Sequence, residues 1–194
     1  IGGIALENVV WAADGSMING DVPMGTLPGK YQLMVTRENG LSTVMGVTVV
    51  VGPIAGNIIE VAPSTNPSAT PIQDAIDIAQ PDDLILVTQG VYEEMVILWK
   101  DVQLQGSGAP STTINAIPAP GEKLLAWRQK VEDLVTGGFA DLLPFQEAGF
   151  AGFEPAALFT EEGAGIIVLP AATAFGPDSF AGIDGFTITG STNG

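Results

Sequence analysis

Residues 84–116 hold four short apolar segments, LILVT (84–88), MVILW (95–99), VQLQG (102–106) and TTINA (112–116), with no helical stretch between them. Each is rich in β-branched side chains and is closed by Gly, Asp or Pro, the punctuation of short strands. A helix precedes them directly. Thr70 stands as its N-cap, Pro71 at the first helical position, and Gln73 where it completes a capping box. Ile72, Ala75, Ile76 and Ala79 then share one apolar face, Asp74 and Asp77 fall on the solvent side, and Pro81 ends the helix. Strands spaced by roughly 8–11 residues also suit an antiparallel sandwich. The helix set directly before the first strand argues against it: a small amphipathic helix serves there to cover the open end of a stacked β core.

The rest of the chain agrees with a buried core. Of 194 residues, 46% are hydrophobic and 14% charged, a balance that a disordered chain does not show. The formal net charge of -16 excludes nucleic acid and an anionic membrane surface as partners, because both are polyanions. The chain has no Cys and no His, which removes disulfides, thiolate sites, His-based triads and the usual zinc, copper and haem ligation. No apolar run reaches the length of a membrane span.

Residues 1–52 read as β structure. An Asp14-Gly15 turn joins two short apolar runs, Tyr31, Leu33 and Val35 alternate with Gln32, Met34 and Thr36, and Glu38-Asn39-Gly40 is a hairpin signal before the Val-rich run ending at Val51. The pattern from Trp11 through Val22-Pro23, Pro28-Gly29 and the two long strands after them resembles the second half of an IPT/TIG immunoglobulin-like domain, over residues 9–52. The resemblance implies a partial Ig-like sandwich that lacks its opening strands. The expectation is therefore a fragment, or a sheet completed by something else. Residues 53–69, rich in Pro and Ser around a short strand (58–61), read as the linker.

The second part carries another resemblance. IQDAIDIA (72–79), DDLILVTQGVYEE (82–94), VILWKDVQLQGSGAPSTTINA (96–116) and IDGFTITG (183–190) are similar to the start of a right-handed parallel β-helix of the pectate-lyase-like superfamily. The resemblance implies coils of three short strands with stacked inward rows of Ile, Leu and Val, and the helix at 71–79 as the end cap. The expected fold class is thus all-β: a partial Ig-like sandwich (1–52), a linker (53–69) and the N-terminal part of a right-handed β-helix (70–194). That last part carries a helical, Phe-rich insertion at 117–162. In the insertion, Leu124, Trp127, Val131, Leu134 and Val135 line one face of a second amphipathic helix (121–135). Lys123, Arg128 and Lys130 there are half of the chain's six basic residues, and five of the eight Phe follow.

Chemistry is sparse. The acidic pairs Asp82-Asp83 and Glu93-Glu94 are the candidate metal ligands, with Ca²⁺ as the candidate cation, since enzymes of that superfamily use clustered carboxylates for Ca²⁺ or as acid and base. Glu161-Glu162, Asp178 and Asp184 are of the same kind. Adjacent residues on a strand point to opposite faces, so a sequence pair is not a spatial pair, and solvated turn residues are the plainer account. Trp99 and Lys100 are the candidate carbohydrate-binding residues, a stacking platform beside a cation, against a plain coil-corner role. Asn115 and Asn193 suit a structural Asn ladder. No catalytic residue and no cofactor is assigned.

The expected function is a non-catalytic, secreted or cell-surface structural or adhesion module, a piece of a larger multidomain or self-assembling protein. Its partners would be more of the same polypeptide or a neighbouring subunit at both chain ends, and a polysaccharide as a further partner. The alternatives are the N-terminal part of a carbohydrate-active β-helix enzyme, lyase or glycosidase-like, and a Ca²⁺-dependent sugar-binding module.

Overall fold

A computed structural model describes residues 2–15, 17–43, 48–52, 56–141, 164–169 and 181–191. The chain divides into two units, Ile1–Pro53 and Ile54–Gly194.

In the first unit, β1 (Glu7–Trp11) and β2 (Ile18–Asp21) form an antiparallel pair. Their turn closes through Gly15, whose φ of 73° is one that L side chains rarely adopt. A second antiparallel pair joins β3 (Gly29–Gln32) to β4 (Thr48–Val51), with Tyr31 opposite Val49. Beyond β3, Thr36 bridges Ser42 around a turn closed by Gly40 N–H to the Arg37 carbonyl at 2.9 Å.

The second unit begins with β5 (Ile58–Val61), inside the segment expected to be linker. Then come α1 (Pro71–Ile78), β6 (Leu84–Val87), β7 (Gly90–Tyr92), β8 (Val96–Leu98), β9 (Gln103–Gly106) and β10 (Thr112–Asn115). They are followed by α2 (Gly121–Thr136), β11 (Ile166–Val168), β12 (Gly182–Asp184) and β13 (Thr187–Thr189). Every strand pairing in this unit is parallel among the described residues, in three sheets ordered β5-β6-β9-β12, β7-β10-β13 and β8-β11. From β6 onward the chain visits the three sheets in the same order on each pass. Like residues therefore stack in register, as in the row Ile59, Ile85, Leu104 and Ile183. Gly106 and Gly185 approach each other closely between passes. A Cβ on Gly106 would lie 2.4 Å from the Gly185 carbonyl oxygen, so a side chain is excluded there.

The expected all-β class is corrected. Among the described residues the sheets are mixed, two antiparallel pairs and three parallel sheets, and the apolar faces of both helices pack into the cores. The main core joins Ile72, Ala75, Ile76 and Ala79 of the α1 segment to Ile85, Val87, Val96, Leu98, Leu104 and Ile114. A second core joins Met95, Ile97 and Ala116 to Trp127, Val131 and Leu134 of α2. The physical reason lies in β8 and the residue before it. Val96 and Leu98 point to one core while Met95 and Ile97 point to the other, as the two-residue period of a strand requires. A strand buried on both faces needs a layer on each side, and α2 supplies the second. The first unit, in turn, holds two separate antiparallel strand pairs among the described residues. Phe145, Phe150, Phe153 and Phe159 of the expected insertion lie outside the described residues.

Two isoleucines two positions apart test the role of α1. Ile76 is fully buried and Ile78 is 70% exposed. Ile76→Ala should lower the unfolding free energy by about 2–5 kcal/mol, whereas Ile78→Ala should stay within about 0.5 kcal/mol, by urea denaturation. Equal small effects would show that α1 is not a core layer.

Candidate functional site

The polar side chains of the second unit gather around α1. A helix of eight residues is marginal alone and leaves its terminal N–H and C=O groups without partners. Thr70, the expected N-cap, makes no capping bond; its hydroxyl donates to Asp74 Oδ1 at 3.1 Å. The cap comes instead from Glu94, just before β8. Its two carboxyl oxygens accept the backbone N–H groups of Ile72 and Gln73, both at 3.0 Å. Gln73, expected to complete the capping box, turns onto β8. Its Oε1 accepts the Ile97 N–H at 2.7 Å, and its Nε2 donates to the Ile97 carbonyl at 3.2 Å and to Asp77 Oδ1 at 3.0 Å.

The other end of α1 is held from the far side of β8. Lys100 Nζ donates to the carbonyls of Asp77 at 2.5 Å and Ala79 at 2.7 Å, placing a cation at the negative helix end. Burial pulls the Lys100 ammonium below its ordinary value, against the pull of Asp77. The same ammonium lies 4.5 Å from the Trp99 ring centroid. The Trp99 indole N–H donates to Asp77 Oδ1 at 3.0 Å, and its ring meets Phe139 edge-on at 5.5 Å. The two candidate carbohydrate-binding residues thus clamp the C-terminal end of α1. Asp77, read from the sequence as a solvent-facing residue, accepts from Gln73, Trp99 and Lys130. Its ion pair with Lys130, 53 residues away, has no sequence signal.

The four candidate metal ligands do not converge. Asp83 is buried, and its oxygens accept the Asn57 N–H at 2.6 Å and the Gln80 N–H at 2.7 Å. The Gln80 bond first, then the Asn57 bond, hold its carboxyl below the ordinary value. Asp82 is exposed in a left-handed conformation with φ of 70°. Glu93 is exposed, and its backbone carbonyl takes the Lys123 ammonium at 2.7 Å. Among the described residues no three carboxylates form a group able to hold a metal ion. Each of the four carboxyl oxygens of Asp83 and Glu94 accepts a backbone N–H. Asn115 accepts the Thr189 hydroxyl at 3.2 Å, a link between passes; Glu161, Glu162, Asp178 and Asn193 lie outside the described residues. Among the described residues no helix is long and apolar enough to cross a membrane.

A cavity of about 400 Å³ opens between the N-terminal turn of α1, β8 and α2, walled by Glu94, Met95, Ile97, Lys123, Ala126 and Trp127 among others. The Trp127 indole nitrogen is buried and has no hydrogen-bond partner among the described residues. A neighbouring hollow of about 430 Å³ is bordered by Trp99, Lys130 and Phe139.

Burial pushes the Glu94 carboxyl up to about 7, against the two N–H donors and Lys123, with Asp74 adding to the rise. The ordinary value is 4.5, so between pH 4.5 and 7 the folded protein holds a proton that the unfolded chain has lost. Its contribution to stability is whole below pH 4.5, declines as pH rises and is gone above pH 7. The full difference is about 3 kcal/mol. Glu94→Gln should be less stable throughout, since one acceptor is lost, yet should lack this decline in denaturant unfolding between pH 4.5 and 7.5. A variant with the same pH slope would assign the slope elsewhere. Millimolar Ca²⁺ should leave the melting midpoint where chelator leaves it. A site filled at 100 times its dissociation constant would instead add about 2.7 kcal/mol.

No family model, no curated protein and no solved structure matches the chain.

Proposed function

We propose that the chain is a non-catalytic structural or adhesion module of a secreted or cell-surface protein, acting through contact with a neighbouring protein surface. One observation carries the reading: the side chains with the chemistry to act are bound to the backbone of their own chain. Glu94 holds the start of α1, Lys100 its end, and Asp83 the approach to β6. Buried charges so engaged stiffen a scaffold; a nucleophile or general base has to keep its lone pair for the substrate. The first unit adds support for a protein partner. Val10, Trp11, Leu27 and Met34 are each more than half exposed, apolar side chains that a partner surface would cover. The strong negative charge keeps such a surface soluble until its partner arrives.

Two measurements on the whole chain test the reading together. Light scattering should show a mass that rises with protein concentration, and the Val10→Ser/Trp11→Ser double variant should stay at the monomer mass. Incubation with acidic and neutral polysaccharides should release neither new reducing ends nor unsaturated uronates. Release of either product would overturn the non-catalytic reading in favour of a carbohydrate-active enzyme. A monomer at every concentration would overturn association through the first unit.

A further inference from the structure

We propose that one face of the hairpin β1–β2 is the contact surface of the first unit and that a second copy of this chain covers it, hairpin on hairpin, about a twofold axis. The inference rests on the contact reading of the first unit and names its face and its partner. The strand register sorts the side chains. Trp11 lies opposite Ile18. Residues two apart on a strand share a face, so Val9 joins Trp11 and Gly20 joins Ile18. A Cβ on Gly20 would meet Val9 Cγ2 and Leu6 Cβ, both at 3.3 Å, which sets Leu6 on the same side. The resulting face, Leu6, Val9, Trp11 and Ile18, is wholly apolar. The opposite face carries Val10 beside Asn19 and Asp21, and Asp21 Oδ2 accepts the Asn8 side-chain amide at 2.8 Å.

A pair of strands patterned this way is amphipathic, and its apolar face is the one that packs. Val9, Trp11 and Ile18 are nevertheless 41%, 58% and 42% exposed. Among the described residues the sheet has two strands, which is marginal alone and gains stability when a further layer covers its apolar face. Charge selects that layer. The four side chains of the face carry none. Across the first unit Glu7, Asp14, Asp21 and Glu38 stand against Lys30 and Arg37, a net of two negative charges, so fourteen of the sixteen net negative charges fall in the second unit. A basic partner would be drawn to the second unit. A second copy, as acidic as the first, is repelled there and meets the least repulsion at the uncharged hairpin face. Pairing of one patch with itself closes at two chains, with Trp11, a residue type favoured at the centre of contacts, supplied from both sides.

The test is a dilution series of the whole ¹⁵N-labelled chain, followed by light scattering and by its three Trp indole resonances. The mass should rise from one chain to two and no further. The Trp11 indole resonance should move with the same midpoint while those of Trp99 and Trp127 hold. Trp11→Ser and Ile18→Ser should each weaken the pairing at least about tenfold, because each change enters the contact twice. Val10→Ser, on the opposite face, should leave it unchanged. All three positions are exposed, and backbone amide spectra that match the parent chain away from the substitution will confirm that each variant is folded. Loss of pairing in Val10→Ser alone would overturn this face and leave contact through the first unit standing. Pairing kept by all three variants would overturn both. A mass that climbs past two chains would overturn the twofold arrangement, and a monomer at every concentration would overturn the second copy as partner and give the face to an unlike protein.

Discussion

The second unit depends on how a helix too short to stand alone is held to one strand. Glu94 and Lys100 flank β8, six positions apart, and reach opposite ends of α1, Glu94 as acceptor for the N–H groups and Lys100 as donor to the carbonyls. The Lys100 ammonium meets the end of the helix dipole that favours it. Between them Gln73 joins the middle of β8 to the first turn of α1, with its amide taking the place of a neighbouring strand at Ile97. With both ends and the middle tied, the apolar face of α1 has one position over the parallel sheets. Ile72 and Ile76 close the main core from that position.

The same strand also decides what lies on its other side. Met95 and Ile97 point away from the main core, and left bare they would expose a wide apolar band. Trp127, Val131 and Leu134 of α2 cover them. The Lys130–Asp77 pair, about one third exposed on each side, links α2 to α1 across this layer. An ion pair so placed adds little to stability, since solvent screens it, but it sets how the two helices face each other. The cavity of about 400 Å³ lies between the start of α1, β8 and α2.

The polar side chains around α1 hold backbone: Glu94 and Lys100 keep the groups at its two ends paired. Trp99 shows the same economy: its indole N–H and its ring are both committed to fixing the end of α1. Open among the described residues are apolar side chains in the first unit and the hollows beside α2 in the second.

Local features of the chain were legible in its sequence because their causes are local. The apolar spacing of Ile72, Ala75, Ile76 and Ala79 places α1, and the β-branched runs broken by Gly, Asp and Pro place β6, β8, β9 and β10, since backbone preference acts within a few residues. The Asp14-Gly15 and Asn39-Gly40 turns were legible for the same reason. The tertiary structure alone decided which residue caps α1: Glu94 lies 22 positions from Ile72, and a buried carboxyl with two donors displaced the local Thr70 cap. It also turned Asp77 from a solvent-facing residue into a shared acceptor and set Trp99 and Lys100 against the C-terminal end of α1. Each of these depends on the parallel stacking that brings distant segments side by side, and no local pattern encodes which distant partner will arrive.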